Sequence, residues 1–173
     1  MSDAMRIALL RGINVGGKTM VAMSDLRALA ERLGLREAKT LLQSGNLVFR
    51  SDKSPAQLET MLEKELDDIA VFVRTAEEIA GIVAGNPFPS EAKNDPGRLV
   101  MLLLKDAKDG ATLNGIVAGR EIARGKGRHV YIYYPDGQGR SKLTNAVIER
   151  KLGTRGTARN WNTAMKLAAL AED

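Results

Sequence analysis

The feature that most constrains the fold is a pair of apolar runs on either side of Ser44-Gly45, in the segment AKTLLQSGNLVFRS that covers residues 38–51. A small polar residue followed by glycine between two such runs is typical of a tight turn. The segment is therefore predicted to form a β-hairpin, whose two strands pair antiparallel. A mainly parallel sheet is not expected in a chain with this hairpin near its beginning.

The elements around the hairpin follow the order strand, helix, strand, strand, helix, strand. MRIALL (5–10) is predicted to be a buried strand, and a helix capped by Ser24 follows it. A second helix begins at Ser54-Pro55, because proline suits the first helical position. IAVFVR (69–74) is the last strand of this half, and Thr75 caps a linking helix after it.

The same order is repeated after the loop SEAKNDPG. The predicted elements are a strand in RLVMLLL (98–104), a short helix in TLNGIVAG (112–119), two strands in REIAR (120–124) and RHVYIYY (128–134), a helix over 141–152, a short strand in GTAR (156–159) and a closing helix from residue 160. Two βαββαβ units predict an α+β fold of two ferredoxin-like (α/β plait) subdomains with antiparallel sheets and an extra C-terminal helix. The predicted domains are residues 1–85, which include the linking helix, and residues 86–173, which include the C-terminal helix.

Positive charge is concentrated in the second half of the chain. Residues 1–97 carry 12 Lys/Arg and 14 Asp/Glu, whereas residues 98–173 carry 14 and 7. This surplus predicts an anionic partner for the second half: nucleic acid, a phosphorylated small molecule or an acidic protein. The alternative is a basic surface that is merely solvated.

Absent residue types exclude several classes of function. The chain has no cysteine and one histidine, His129, so it offers no thiol nucleophile and no histidine-based triad with a clear partner. We expect a cytoplasmic protein without a signal peptide, and no apolar run approaches the ~20 residues that cross a membrane. No metal-ligand spacing and no cofactor motif is identified, and acidic residues such as Glu63 and Asp67 are interpreted as a solvated helix end.

The segment GINVGGKT, Gly12–Thr19, matches the phosphate-loop pattern G-x-x-x-x-G-K-[ST]. In proteins that use this loop, a strand opens directly into a helix, and the sheet is mainly parallel. Here the predicted helix begins only at Ser24, and the predicted hairpin requires antiparallel pairing. A phosphate-loop NTPase or kinase is therefore not expected.

Five segments together resemble the uncharacterised bacterial family called domain of unknown function 1697: LLRGINVGGK, LQSGNLVF, NPFP, YYPDGQGRSKLTN and TARNWNTAMKLA. They occur in that family's order and span almost the whole chain. The resemblance implies two α/β-plait subdomains and no established activity. It also implies that Thr19 is incidental, because the family usually has another residue, often Asn or Lys, at that position.

The first two candidate binding segments are the glycine-rich loop and the hairpin turn. In the loop, Arg11, Asn14 and Lys18 offer hydrogen-bond donors, and the glycines allow a close backbone approach. At the hairpin, Gln43 and Asn46 add uncharged polar groups. The alternative for both segments is turn chemistry alone.

The other two candidate segments are Arg140-Ser141-Lys142 and Asn160-Trp161. A helix is predicted to begin with Ser141 as its cap, so an anion there would meet free N–H groups and two cations. Asn160 or Asn162 is predicted to cap the closing helix, and the indole of Trp161 offers a surface on which a base can stack. The alternatives are a plain capped helix with solvated cations and a tryptophan that anchors the helix on the core.

These segments predict a protein that binds a phosphate-bearing ligand, namely a nucleotide, a nucleic acid or a phosphometabolite. The residues assigned to the site are Arg11, Asn14, Lys18, Gln43, Asn46, Arg140, Ser141, Lys142, Asn160 and Trp161. One alternative is an enzyme that acts on a phosphorylated small molecule, with Lys18 or Lys142 stabilising transition-state charge. Another is a structural role, in which the motifs only fix turns and the interface between the two halves.

Overall fold

The structure, a computed structural model, describes residues 3–15, 19–106, 108–115 and 119–172. The chain divides into two compact units: one consists of the chain up to Gly81 together with the segment from Leu167 onward, and the other is Ile82–Lys166. The predicted division between residues 85 and 86 stays a prediction. None of the helices in the described part of the chain has the length and apolar character that crossing a bilayer requires.

The first unit contains a four-stranded antiparallel sheet. Its strands are β1 (Ala4–Leu10), β2 (Arg36–Leu41), β3 (Asn46–Ser51) and β4 (Val71–Thr75), and its helices are α1 (Met23–Arg32) and α2 (Pro55–Glu65). The strand order across the sheet is β2-β3-β1-β4. Strands β2 and β3 form the predicted hairpin, with Leu41 opposite Asn46, so the antiparallel prediction is confirmed.

One face of this sheet carries the core of the first unit. Ala8 and Leu10 of β1 are alternate residues, and they pack in one apolar cluster with Leu26 of α1 and Leu58 of α2. Alternate residues of a strand lie on the same face, so both helices cover that face. Helix α2 begins as predicted, because the Ser54 side chain accepts a hydrogen bond from Gln57 N in a capping box.

The outward-facing N–H groups of edge strand β4 are bonded to glutamate side chains. Val71 N donates to Glu63 Oε2 at 2.9 Å, and Val73 N donates to Glu59 Oε2 at 2.9 Å. These donors alternate along the strand, so they point away from β1. Glu63 is therefore half-buried and bonded to the strand, whereas Asp67 is exposed as the interpretation of a solvated helix end expects.

A third helix, α3 (Ala76–Ala84), follows β4 directly. Thr75 Oγ1 accepts a hydrogen bond from Glu78 N at 3.0 Å, and Thr75 N donates to Glu78 Oε1 at 2.9 Å. This reciprocal pair is a capping box, and it confirms Thr75 as the cap of the linking helix.

The second unit contains another four-stranded antiparallel sheet, built from β5 (Leu99–Leu104), β6 (Ile122–Lys126), β7 (His129–Tyr133) and β8 (Gly156–Asn160). The strand order is β6-β7-β5-β8, the same order as in the first unit. Its helices are α4 (Pro89–Asn94), which forms in the segment predicted as a loop, and α5 (Asn145–Leu152); short 3-10 helices occur at Pro96–Arg98, Gly110–Leu113 and Gln138–Arg140. The last helix, α6 (Trp161–Leu170), begins in this unit, and its residues from Leu167 onward belong to the first.

The helix predicted over residues 112–119 is the main departure from the sequence-based prediction. The described residues form the short 3-10 helix Gly110–Leu113 in its place. Gly115 follows with φ of +81°, which is incompatible with continuation as a right-handed helix. Residues 116–118 of this prediction lie outside the described residues.

Candidate functional site

Asn14 connects the glycine-rich loop to the hairpin turn within the first unit. Its Nδ2 group donates to Val21 O at 2.9 Å and to Gln43 O at 2.8 Å. Its Oδ1 atom accepts from Val21 N at 2.8 Å. Asn14 also adopts a φ of +55°, which asparagine tolerates better than most residues. One amide hydrogen of Asn14 thus joins the two loops, and the other closes the glycine-rich loop onto Val21.

Gly45 lets the hairpin turn lie against the loop beneath it. Ile13 is buried in the core of the first unit, and a Cβ atom on Gly45 would be 2.6 Å from Ile13 Cδ1 and 3.0 Å from Leu10 Cβ. Gly45 has φ of +87°, a conformation that favours glycine. The glycine at this turn is therefore required by both its backbone conformation and its neighbours.

The remaining predicted residues of the first unit have different environments. Asn46 is fully buried, and its Nδ2 group donates to Leu41 O at 2.7 Å and to Ser44 Oγ at 2.9 Å. Gln43 is exposed and Arg11 is half-buried. Lys18 lies outside the described residues. The structure thus brings Asn14, Gln43 and Asn46 to one pair of adjoining loops, in which Asn14 and Asn46 bond to the protein itself.

The antiparallel sheet also argues against a phosphate loop at Gly12–Thr19. Strand β1, which precedes the loop, pairs antiparallel with both of its neighbours. Helix α1 begins at Met23 with Ala22 as its N-cap, so the prediction of Ser24 as the cap is wrong. The chain nevertheless does not enter a helix directly after Thr19. Both observations agree with the sequence-based exclusion of a phosphate-loop enzyme.

A cavity of about 230 Å³ lies at one end of the sheet in the second unit. Ile122, the first residue of β6, pairs with Tyr133, the last residue of β7. The segments that precede β6 and follow β7 therefore meet at this end of the sheet. The cavity is lined by Gly119, Arg120, Glu121, Tyr134, Pro135, Asp136, Gly137, Arg140, Ser141 and Lys142. Three of the predicted site residues thus line a single cavity.

Ser141 is not the cap of the helix that follows it, and that prediction is wrong. Helix α5 begins at Asn145, and the hydroxyl of Thr144 accepts a hydrogen bond from Val147 N at 3.3 Å. Ser141 follows a 3-10 helix, and its own hydroxyl accepts from Leu143 N at 2.9 Å. The physical reason is that Leu143 is buried, which holds this segment extended until Thr144. Arg140 and Lys142 therefore do not lie in the first turn of α5.

Glu121 is the residue of this cavity that the sequence-based prediction missed. It is 8% exposed, and its Oε1 atom accepts a hydrogen bond from the Ser141 hydroxyl. Its Oε2 atom is buried and has no hydrogen-bond partner in the described part of the chain. Burial and, secondarily, the charge of Glu121 raise the pKa of Tyr134, whose hydroxyl donates to Leu143 O at 3.0 Å. The cavity wall thus contains a carboxylate with one oxygen unused.

Three cations line the same cavity as this carboxylate. Arg120 forms an ion pair with Asp136, with 2.8 Å between Nη1 and Oδ1. Arg140 and Lys142 are exposed, and among residues 3–15, 19–106, 108–115 and 119–172 neither forms an ion pair with a carboxylate. These two side chains can therefore turn towards an anion without first breaking an ion pair.

Asn160 and Trp161 do not line the cavity. Asn160 Oδ1 accepts a hydrogen bond from Thr163 N at 3.0 Å, which confirms Asn160 as the cap of α6. Trp161 is 4% exposed, and its ring centroid lies 6.2 Å from that of Tyr131. These contacts favour an anchoring role for Trp161 over stacking on a base. No group of three His, Cys, Asp or Glu residues that could hold a metal ion occurs within the described residues.

Comparisons with known proteins agree with this fold. The sequence profile of the family described as protein of unknown function (DUF1697) matches residues 4–131. A solved structure of a conserved bacterial protein from Streptococcus pneumoniae superimposes with a TM-score of 0.75 over 98% of this chain and 99% of that chain, at 23% sequence identity. The comparison with curated proteins gave no match. Because the profile covers well over half of the 173 residues, the chain belongs to the DUF1697 family.

Proposed function

We propose that the second unit binds a phosphate-bearing ligand in the cavity next to Arg140, Ser141 and Lys142. The observation that carries this proposal is the position of two exposed cations on either side of Ser141 at the cavity. In the described part of the chain, neither cation is committed to a carboxylate. Hydrogen bonds from such cations to phosphate oxygens are among the stronger polar interactions in proteins.

The size and charge of this region support the same ligand class. A cavity of about 230 Å³ is smaller than the ~300–1,000 Å³ of pockets for drug-sized ligands, so it suits a phosphate group with a few neighbouring atoms. Residues 98–173, which include both cations, carry 14 Lys/Arg against 7 Asp/Glu. A nucleotide, a nucleic acid end or a phosphometabolite each presents such a group.

The cavity belongs to a sheet that we interpret as one of two ferredoxin-like plaits. The support is the strand order, in which the third strand of each unit lies between its first and second strands. That arrangement, with the fourth strand beside the first, is the split βαβ pattern. The second unit departs from it by having a 3-10 helix, Gly110–Leu113, after its first strand.

Titration calorimetry with inorganic phosphate, adenosine 5′-monophosphate and single-stranded oligouridine tests the proposal. We expect at least one of these probes to bind and the double variant Arg140→Gln/Lys142→Gln to lose at least tenfold in affinity, because one charge-assisted hydrogen bond contributes about 1.5–3 kcal/mol. Lys151→Gln is the matched control, since Lys151 is an exposed cation of α5 that does not line the cavity. The proposal is wrong if no probe binds, or if the double variant binds as tightly as the unmodified protein.

A further inference from the structure

We infer that the ligand of this cavity carries a hydroxyl group close to its phosphate, and that Glu121 accepts a hydrogen bond from that hydroxyl. The ligand class is therefore a phosphorylated sugar, either free or as the ribose phosphate of a nucleotide. This inference rests on the proposed phosphate site and specifies what lies next to the phosphate.

The inference begins from the unequal use of the two Glu121 oxygens. Oε1 accepts from the Ser141 hydroxyl, whereas Oε2 is buried without a partner among the described residues. A buried acceptor with no donor is costly, and a charged acceptor more so. The simplest reason for an unpartnered carboxylate oxygen at a cavity wall is that a ligand supplies its hydrogen-bond donor.

Gly119 lies directly beside Oε2 at the cavity wall. It lines the same cavity, and a Cβ atom at this position would lie 2.8 Å from Oε2 and 3.5 Å from Oε1 of Glu121. Any other residue at this position would therefore crowd the unused oxygen. Gly119 has no left-handed φ, so the backbone conformation does not itself require glycine here.

The charges around Glu121 define the chemistry of the donor. An ionised phosphate oxygen accepts rather than donates and would be repelled by the carboxylate, while an ammonium group would be repelled by Arg140 and Lys142. A neutral hydroxyl satisfies Oε2 without either penalty. A hydroxyl adjacent to a phosphate is the chemistry of a phosphorylated sugar, and in dinucleotide-binding folds an acidic residue accepts ribose hydroxyls in this way.

A matched pair of probes isolates the hydroxyl. Glycerol 3-phosphate and propyl phosphate share the phosphate ester and the three-carbon chain, but only the former carries free hydroxyls. By calorimetry we expect glycerol 3-phosphate to bind at least tenfold more tightly, because a hydrogen bond to a charged group is worth about that factor. Ribose 5-phosphate and adenosine 5′-monophosphate, compared in the same assay, distinguish a free sugar phosphate from a nucleotide as the source.

Two variants test whether the preference for glycerol 3-phosphate over propyl phosphate depends on Glu121. Glu121→Gln removes the negative charge, so we expect the preference to fall below threefold while the affinity for inorganic phosphate stays equal or rises. Gly119→Ala places a methyl group beside Oε2, and we expect the same loss of preference. Gly97→Ala is the control, because no atom lies within 4 Å of a Cβ atom there.

The outcomes separate this inference from the proposed function. If none of the phosphates binds, the phosphate site itself is wrong, and the inference fails with it. If propyl phosphate binds as tightly as glycerol 3-phosphate, or if Glu121→Gln keeps the full preference, the phosphate site stands and the hydroxyl inference is overturned. Loss of the preference in both variants, with binding of inorganic phosphate intact, supports it.

Discussion

Replacing Asn14 by alanine tests whether this side chain holds the two polar loops of the first unit together. The variant loses the hydrogen bonds of Nδ2 to Val21 O and Gln43 O, at 2.9 and 2.8 Å, and that of Val21 N to Oδ1, at 2.8 Å. At about 0.5–1.5 kcal/mol for each bond, the loss is roughly 2–4 kcal/mol. Alanine at a φ of +55° adds about 1 kcal/mol.

Urea unfolding followed by far-ultraviolet circular dichroism measures this loss as a lower transition midpoint with an unchanged slope. Asn14→Gly separates the two contributions, because glycine accepts the positive φ but cannot make the three bonds. We expect its destabilisation to be about 1 kcal/mol smaller than that of Asn14→Ala. The control is Asn162→Ala, at an exposed position of α6. A loss below about 0.5 kcal/mol in Asn14→Ala would refute the reasoning, since that is the usual effect of a plain surface substitution.

Three further substitutions test local features of the fold. Gly45→Ala should lower the free energy of unfolding by about 2–4 kcal/mol. The new Cβ atom would lie 2.6 Å from an isoleucine methyl group, and the backbone φ is +87°. A loss no larger than that of Gly97→Ala in the same urea assay would contradict this. Thr144→Ala should cost about 1 kcal/mol as the loss of an N-cap, and equal midpoints for variant and unmodified protein would show that the cap is dispensable. Burial, and secondarily the charge of Glu121, raises the pKa of Tyr134 above its ordinary value of 10.0. Above pH 10.0 the unfolded state therefore loses the phenol proton before the folded state does. The stability that the neutral phenol contributes then declines as the pH rises. Tyr134→Phe should therefore show a shallower fall of unfolding free energy above that pH, and an identical fall in both proteins would argue against it.

The features predicted correctly from the sequence are those that depend on chemistry within a few residues. Ser54, Thr75 and Asn160 cap helices as predicted, because a cap bonds to a backbone group only two or three residues ahead. The hairpin around Ser44-Gly45 formed for the same reason, since its turn residues and its two apolar runs are adjacent in the chain.

The features that were missed depend on residues distant in the sequence. Ser141 and Thr144 are both plausible caps three residues apart, and the burial of Leu143 decides between them. Glu121 gives no local signal, because its burial results from the pairing of β6 with β7 and from the Ser141 hydroxyl. The bond from Asn14 to Gln43 likewise joins two segments 29 residues apart. Sequence patterns within one segment therefore predict where the polar loops occur, but not which residues their side chains contact.

The glutamates along β4 have a consequence for how this protein behaves at high concentration. An edge strand with unpaired N–H groups is a template on which a second chain can add a strand. Here the backbone N–H groups of Val71, Val73 and Thr75 donate to the side chains of Glu63, Glu59 and Glu78, respectively. Three alternate donors of this five-residue strand are thus occupied. A neighbouring molecule that approached this edge would find its donors occupied and would meet three carboxylates, so the β4 edge of the first sheet is expected to resist strand addition.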